Sequence, residues 1–243
     1  MCGRYTLTAP PEAVKTFFGA EAAHEAPPRH DIRPTQPILI AREERPGVRT
    51  LVLARWGLIP GWAKDPSKLS LMFNARSEGA IDKPSFRGAM RHKRCLIPAT
   101  GFYEWQKRPG AKSQPYRITP KGGGLVAFAG LWEDWSAPDG GVMETATILT
   151  TSANEALAPI HERMPVVIHP DDFAAWLDVR TVDAREAVAL MRPTPDDLFD
   201  IEPVGDTPQP PRKARAAASD AGEPSGNKDH AKPEPPRQFD LFS

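Results

Sequence analysis

Cysteine is scarce in this chain of 243 residues, which contains only Cys2 and Cys95. Two cysteines are too few for a disulfide framework or for a zinc site built on cysteine ligands. The sequence also lacks a phosphate-binding loop, a zinc-binding pair of histidines and a Gly-x-Ser-x-Gly nucleophile motif. We therefore expect a protein with reduced thiols that uses neither a metal nor a cofactor.

An excess of charge is absent as well, because 31 Lys and Arg residues balance 31 Asp and Glu residues. Any nucleic-acid binding must therefore come from a local patch. The longest apolar run, residues 125–132, is far shorter than a membrane span, and no secretory signal opens the chain. These absences predict a soluble, cytoplasmic protein without a membrane partner, which we expect to be a monomer.

Large apolar side chains are missing from residues 206–237, which contain no Val, Ile, Leu, Met, Phe, Trp, Tyr or Cys. Such a segment cannot bury enough apolar surface to offset the entropy lost on ordering. We therefore predict a domain over residues 1–205, a disordered Pro-rich tail over 206–237 and a separate terminal peptide over 238–243.

Short apolar segments separated by Gly and Pro fill residues 1–205. Period-two alternation predicts a strand near residues 4–7, and Pro10-Pro11 with Gly19 predicts a helix between them. Residues 20–35 are expected to be irregular, and a Ser-x-x-Glu capping box at 152–155 predicts another helix. Because the strands do not alternate regularly with helices, we predict an α+β fold with a mainly antiparallel, barrel-like β core and short flanking helices.

Cys2 is the candidate nucleophile. It becomes N-terminal if Met1 is removed, and a side chain this small normally permits that removal. An N-terminal Cys carries an amine with a pKa of about 7.7–8.0 and a thiol with a pKa of about 8.5, so both can react near neutral pH. The amine can condense with an aldehyde to an imine, and the thiol can then add to close a thiazolidine. The alternative is that Met-Cys-Gly simply begins a buried strand.

Other candidates also have structural alternatives. Glu104, between two aromatic residues, is either a solvent-facing strand residue or a partly buried acid with a raised pKa. His161 is either functional or a satisfied structural histidine, Asn74 is either functional or a turn residue, and Arg76 is either functional or part of a surface salt bridge. The basic cluster at 87–94 is either the solvated end of a helix or a binding patch.

Five segments together resemble, in order, the SOS response-associated peptidase family, also called the abasic-site processing proteins. They are Met1–Tyr5, Trp56–Trp62, Phe73–Glu78, Gly101–Trp105 and Ile160–Pro165, and the resemblance covers roughly residues 2–205. One departure is visible: the family often has Tyr-Asn-x-Ala-Pro where this chain has His30-Asp31-Ile32-Arg33-Pro34.

The resemblance implies that the mature Cys2 forms a thiazolidine crosslink with an abasic site in single-stranded DNA, shielding the lesion in the DNA damage response. The implied catalytic residues are Cys2, Asn74, Glu104 and His161. The implied DNA contacts are Arg4, Arg76 and Thr150, with base-stacking or wedge positions at Pro34, Trp62 and Trp105. If the thiol does not add to the imine, the imine would permit strand cleavage, which is a lyase activity. Such a protein would be associated with the nucleoid.

Two other functions stay open. Cys2 and His161 could form the thiolate–imidazole pair of a cysteine peptidase that acts on its own N-terminus or on other proteins. A DNA-binding adaptor without catalysis would use the basic cluster and the tail, but it leaves the placement of Cys2 unexplained.

The terminal peptide Gln238-Phe239-Asp240-Leu241-Phe242 lies outside the family resemblance. It resembles the short motif, Gln-Leu-Ser/Asp-Leu-Phe, by which bacterial polymerases and repair proteins dock on the sliding clamp. In that mode Leu241 and Phe242 enter a hydrophobic pocket and Gln238 makes the polar contact that sets register. The alternative is a frayed terminus without a partner.

Overall fold

The computed structural model describes residues 2–24 and 26–205, so the predictions for the tail and for Gln238, Leu241 and Phe242 lie outside the described residues. The strands in this part are β1 (Tyr5–Leu7), β2 (Ala20–Ala23), β3 (Arg29–Ile32), β4 (Pro37–Arg45), β5 (Val48–Trp56), β6 (Asn74–Arg76), β7 (Arg94–Ala99), β8 (Gly101–Gln106), β9 (Gln114–Pro120), β10 (Val126–Ser136), β11 (Val142–Ser152), β12 (Arg163–Pro165), β13 (Val167–Ile168) and β14 (Phe199–Pro203). The α-helices in this part are α1 (Pro11–Phe18), α2 (Arg87–His92), α3 (Phe173–Leu177) and α4 (Ala184–Val188). None of these described helices has the length and apolar content needed to cross a membrane.

Five strands close into a barrel. β11 pairs with β10, β10 with β7, β7 with β4 and β4 with β5, all antiparallel, and a parallel pairing of β5 with β11 joins the two ends. Closure leaves these five strands without a free edge and encloses an apolar core. The predicted α+β fold with an antiparallel, barrel-like core is confirmed.

A second, antiparallel sheet has the strand order β14-β9-β8-β1-β3. Aromatic contacts join it to the barrel: the ring of Tyr5 on β1 meets Trp56 edge-on at 5.3 Å and Phe128 at 6.1 Å. Phe102 on β8 also packs against Phe128, at 5.9 Å. β1 and β8 are therefore anchored in the core, and the residues that flank them are held in fixed positions.

The prediction for residues 20–35 was wrong, because β2 and β3 lie there. β2 has the sequence Ala-Glu-Ala-Ala, a poor strand former, and it forms because its backbone pairs with β5. β3 likewise pairs with β1. Tertiary pairing overrides weak local propensity in both strands.

The prediction of a helix that begins with a capping box at Ser152 was also wrong, because β11 continues to that residue. The following segment forms turns, and the side chain of Asn154 accepts a hydrogen bond from the Leu157 N–H at 3.0 Å in place of a serine cap. The helix predicted between Pro11 and Gly19 is confirmed as α1, and Gly19 ends it with a left-handed φ of 58°.

Candidate active site

Cys2 lies just before β1 and is fully buried, with its Sγ 4.0 Å from the carbonyl oxygen of Arg4. Burial raises the pKa of the thiol well above its ordinary value, and the nearby carboxylate of Glu104 raises it further. The thiol therefore stays protonated near neutral pH, and a neighbouring group must take its proton when it reacts.

Asn74 fixes the backbone of Cys2. It opens β6, which runs parallel to β11, and its Nδ2 donates a hydrogen bond to the Cys2 carbonyl oxygen at 2.8 Å. The Oδ1 atom of the same amide is buried and accepts no hydrogen bond from any residue in the described part of the chain. The amide thus offers an acceptor beside Cys2 while its donor holds the chain in place.

Glu104 is only 3% exposed, so the interpretation as a buried acid is confirmed over that of a solvent-facing residue. β8 carries it next to β1, where the Tyr103 N–H donates to the Arg4 carbonyl oxygen at 2.9 Å. Burial raises the pKa of Glu104, and the nearby imidazole of His161 opposes this shift. Glu104 therefore interacts electrostatically with both Cys2 and His161.

His161 follows the turns after β11, and its orientation is set by Arg163. His161 Nδ1 lies 3.0 Å from the Arg163 backbone nitrogen and 3.2 Å from the Arg163 carbonyl oxygen, so the Arg163 backbone holds the ring in either neutral tautomer. The guanidinium of Arg163 in turn donates to the two carboxylate oxygens of Glu78 at 2.6 and 2.9 Å and to the carbonyl oxygen of Thr150. This pairing lowers the pKa of Glu78 and ties β12 to the turn after β6.

The predicted phosphate contacts have different environments. Arg76 is exposed at the end of β6 and pairs in register with Thr150, whose side chain is buried.

Arg4 is 5% exposed; its Nε donates to Asp31 Oδ1 at 2.7 Å, and its guanidinium lies over the ring of Tyr103. Although burial opposes it, hydrogen bonds from Arg33 and Arg4 lower the pKa of Asp31. DNA contact by Arg4, Arg76 and Thr150 stays a prediction.

The three predicted stacking positions lie on separate segments. Pro34 is half-buried beside Thr35, the one described non-glycine residue with a positive φ, 75°. Trp105 is half-buried on β8, and Trp62 is 58% exposed on the loop after β5. Trp62 is therefore not a core residue, whereas a stacking role for the three residues stays a prediction.

Three residues that support the site were missed at the level of sequence: Asp31 beside Arg4, Glu78 opposite Arg163, and Arg163 itself. In each pair, Arg4 with Asp31 and Glu78 with Arg163, the two residues are far apart in the sequence. They come into contact only because β1 pairs with β3 and β12 pairs with β11, so the sequence gives no reason to distinguish their charges from ordinary surface charges. The only signal for Glu78 and Arg163 is that each lies within a segment already singled out. Within the described residues, no cluster of three or more His, Cys, Asp or Glu side chains is arranged to hold a metal ion.

Comparison with known proteins agrees with this architecture. The chain is 39% identical to the abasic site processing protein YoqW of Bacillus subtilis over 205 residues, which cover 83% of this chain and 90% of that protein. It is 38% identical to the abasic site processing protein HMCES of Gallus gallus over 175 residues, 62% of this chain and 52% of that protein. A crystal structure of a Bordetella bronchiseptica protein superposes with a TM-score of 0.72 at 29% identity, covering 84% of this chain and all (100%) of that one.

The family model described as "SOS response associated peptidase (SRAP)" matches residues 1–207. That match includes both sheets and the segments that carry Cys2, Asn74, Glu104 and His161. The chain belongs to the SOS response associated peptidase family.

Proposed function

We propose that this protein processes abasic sites in single-stranded DNA by forming a covalent crosslink through Cys2. The observation that carries the proposal is that three side chains from separate parts of the chain form a connected set with Cys2. Asn74 binds the Cys2 carbonyl group, Glu104 acts electrostatically on the Cys2 thiol, and His161 acts electrostatically on Glu104. The relatives described above bear the name abasic site processing protein, which supports the same substrate.

The reaction would begin at the amine that Met1 removal frees. The Cys2 nitrogen attacks the aldehyde carbon of the ring-opened sugar, and the resulting hydroxyl group leaves as water to give an imine. The Cys2 sulfur then adds to the imine carbon while its proton passes to the nitrogen, which closes the thiazolidine. The overall change is the loss of water, with no oxidant, metal or leaving group from DNA.

Glu104 suits the proton transfers because its raised pKa keeps a larger share of the acid form near neutral pH. It can protonate the departing hydroxyl group and afterwards accept the thiol proton. His161 would protonate or stabilise the sugar oxygen, and the Asn74 Oδ1 atom would accept from the free amine. The same imine would permit strand cleavage when the thiol does not capture it.

The environment of Cys2 argues against a cysteine peptidase. A peptidase nucleophile needs a lowered thiol pKa beside an imidazole, whereas burial and Glu104 raise the pKa of Cys2. A raised pKa is compatible with a mechanism in which the amine reacts first and the thiol only traps the imine.

The test uses single-stranded DNA with an abasic site and a denaturing gel. We expect the native chain to give a heat-stable band of summed mass, and Cys95→Ala, which removes the other buried thiol, to give the same band. Cys2→Ala keeps an amine but no thiol, so its adduct should survive heating only after borohydride reduction of the imine. A tag that prevents Met1 removal should abolish both adducts. A heat-stable adduct from the tagged protein would disprove the thiazolidine mechanism.

A further inference from the structure

A small cavity lies where the end of β5 meets residues 66–72, and none of the four candidate catalytic residues lines it. Its volume is about 260 Å³. Pockets for drug-sized ligands have roughly 300–1,000 Å³, so this cavity fits a small ion or one end group of a larger molecule. The polar side chains in its lining are Thr35, Arg55, Ser67 and Ser70.

Arg55 is the one charged residue among the described residues that line the cavity. It is half-buried on β5, and burial alone lowers the pKa of its guanidinium. No carboxylate within residues 2–24 and 26–205 forms an ion pair with it. Because burying a cation without an anion costs free energy, an anion from outside these residues would offset that cost.

Gly57 leaves room for the Arg55 guanidinium. The Arg55 Nη1 atom donates to the Gly57 carbonyl oxygen at 3.1 Å. A Cβ at residue 57 would lie 2.9 Å from that nitrogen and 2.6 Å from Leu71 Cδ1, and the φ of +133° there also disfavours any side chain. The bond to Gly57 uses one of the five N–H donors of the guanidinium, so further donors remain for a ligand.

Thr35 is held in a backbone conformation that threonine rarely adopts. Its φ of 75° lies in the left-handed region, where a β-branched residue is an outlier. Its N–H donates to the Trp56 carbonyl oxygen at 2.7 Å, which fixes it beside the end of β5. Strained residues of this kind cluster at ligand sites, and Thr35 lines the cavity together with Arg55.

The three hydroxyl groups of the lining have different partners. Ser67 Oγ donates to Asp65 Oδ1 at 2.6 Å, and Lys68 pairs with the same carboxylate at 3.4 Å, so that charge is neutralised without Arg55. The hydroxyl groups of Thr35 and Ser70, by contrast, form no hydrogen bond with any residue that the structure describes. The cavity thus offers a guanidinium and two free hydroxyl groups from separate segments.

We propose that this cavity binds a phosphate group, with the Arg55 guanidinium on two of its oxygens and the Thr35 and Ser70 hydroxyl groups on the others. A guanidinium matches the geometry of both carboxylate and phosphate. Phosphate fits this lining better, because a tetrahedral anion presents more oxygens than a carboxylate to donors that come from several sides. The group is either free phosphate or the terminal phosphate of a nucleic-acid strand. The site does not use Cys2, so it is independent of crosslinking.

The first probe is inorganic phosphate, added at constant ionic strength while urea denaturation is measured. A ligand that binds only the folded chain raises the free energy of unfolding as its concentration rises. Arg55→Gln should lower the phosphate association constant roughly 10- to 150-fold, the equivalent of one hydrogen bond to a charged group. Thr35→Val removes only a neutral donor and should lower it roughly 2- to 13-fold.

Arg49→Gln is the matched control, because phosphate also stabilises folded proteins without a specific site. Arg49 is half-buried on the same strand and donates to the Phe18 carbonyl oxygen at 3.0 Å. It lies six residues before Arg55, which is about 20 Å along an extended strand. Its variant loses the same charge and should respond to phosphate as the native chain does.

Stability without phosphate separates a ligand site from a structural role. Because the Arg55 charge has no partner, Arg55→Gln should be at least as stable as the native chain in phosphate-free buffer. An arginine that supports the fold would instead lose stability on replacement. A less stable Arg55→Gln with an undiminished response to phosphate would overturn the proposal.

Undamaged single-stranded oligonucleotides with and without a terminal phosphate identify the source of the group. If a strand supplies it, the phosphorylated oligonucleotide binds the native chain more tightly, inorganic phosphate competes, and Arg55→Gln removes the difference. If free phosphate is the ligand, the two oligonucleotides bind alike and inorganic phosphate alone stabilises the native chain. The proposal fails if the native chain, Arg55→Gln and Arg49→Gln respond equally to inorganic phosphate and the two oligonucleotides also bind alike.

Discussion

The burial of Glu104 links its proposed role in proton transfer to the stability of the folded chain. Burial raises its pKa, which favours the acid form that proton transfer needs. The same burial means that folding is penalised whenever the carboxyl group is ionised. A catalytic role and a structural role for Glu104 therefore predict opposite changes in the free energy of unfolding when a neutral isostere replaces it.

Glu104→Gln preserves the size of the side chain but cannot exchange a proton. We expect it to slow adduct formation or reversal by roughly 10² to 10⁴, the usual range for general acid–base catalysis, with little change in DNA affinity. Single-turnover rates on abasic DNA, together with titration of undamaged DNA, measure the two effects separately. Weaker binding at an unchanged rate would contradict the assigned role.

The same variant should be more stable than the native chain at neutral pH. Because the folded-state pKa of Glu104 lies above its unfolded value, the folded protein binds more protons, and ionisation lowers its stability as pH rises from the ordinary glutamate pKa of about 4.3. The advantage of Glu104→Gln should thus shrink as pH falls towards that value. Urea denaturation across pH measures it, with Glu155→Gln at an exposed position as the control.

The sequence singled out four candidate catalytic residues, whose roles stay predictions, but it did not indicate which residues contact them. Glu104 was readable because an acid between aromatic residues in a strand is unusual. Nothing in the sequence indicated that Arg4 would bind Asp31, because that contact forms only when β1 pairs with β3. Side chains inside a recognised segment are predictable, but contacts between segments require the fold.

At the scale of elements, β8 depends on close packing at its first residue. A Cβ at Gly101 would lie 2.8 Å from the Ile118 carbonyl oxygen and 2.8 Å from Thr119 Cγ2, both on the neighbouring β9. A backbone oxygen held in a sheet cannot move away as a flexible side chain can. Any side chain at Gly101 therefore pushes β8, which carries Glu104, away from β9.

Gly101→Ala should destabilise the protein by about 1–3 kcal/mol, the usual cost of overpacking, and should slow crosslinking because Glu104 shifts with its strand. Gly88→Ala is the matched control: no atom lies within 4 Å of its added carbon, and replacing a helical glycine should stabilise by roughly 0.5–1 kcal/mol. Urea denaturation and the gel assay supply both readouts. Equal stability of the two variants would refute the packing argument.

Elements with strong local signals were predictable, and those held by pairing were not. α1 was readable from Pro11, its apolar stripe and Gly19. β2 was not, because an alanine-rich segment becomes a strand only against the edge of β5. The capping box of α4 at Asp183 and Glu186 was available in the sequence and was missed, while the similar pattern after Ser152 was overridden by the continuation of β11.

At the scale of the whole molecule, the fold class could be predicted, but the closure of the barrel could not. Frequent short strands indicate an antiparallel β core, whereas closure depends on the parallel pairing of β5 with β11, whose paired residues Arg55 and Thr145 are far apart in the sequence. The same closure positions the site, because β6 and β12 both pair with the far end of β11. The division of the chain after residue 205 and the terminal peptide stay predictions from composition and motif.

We propose that residues 238–243 bind the bacterial sliding clamp and so hold the crosslinking domain near the replication fork. Residues 206–237 lack large apolar side chains, and the sequence therefore predicts a tether. A tethered domain can reach an effective concentration on the order of millimolar near its partner without any new contact with DNA. The peptide should therefore affect reactions on clamp-loaded DNA and leave reactions on free DNA unchanged.

Deletion of residues 238–243, or Leu241→Ala with Phe242→Ala, should abolish clamp binding, because both remove the side chains that enter the hydrophobic pocket. Crosslinking of a free abasic oligonucleotide should be unaffected, whereas at limiting protein the yield on clamp-loaded DNA should fall to that of clamp-free DNA. Pro235→Ala with Pro236→Ala changes the tail outside the peptide and should keep both activities. Calorimetry with purified clamp decides the matter, since equal affinity of the full-length and truncated chains would leave the peptide without a partner.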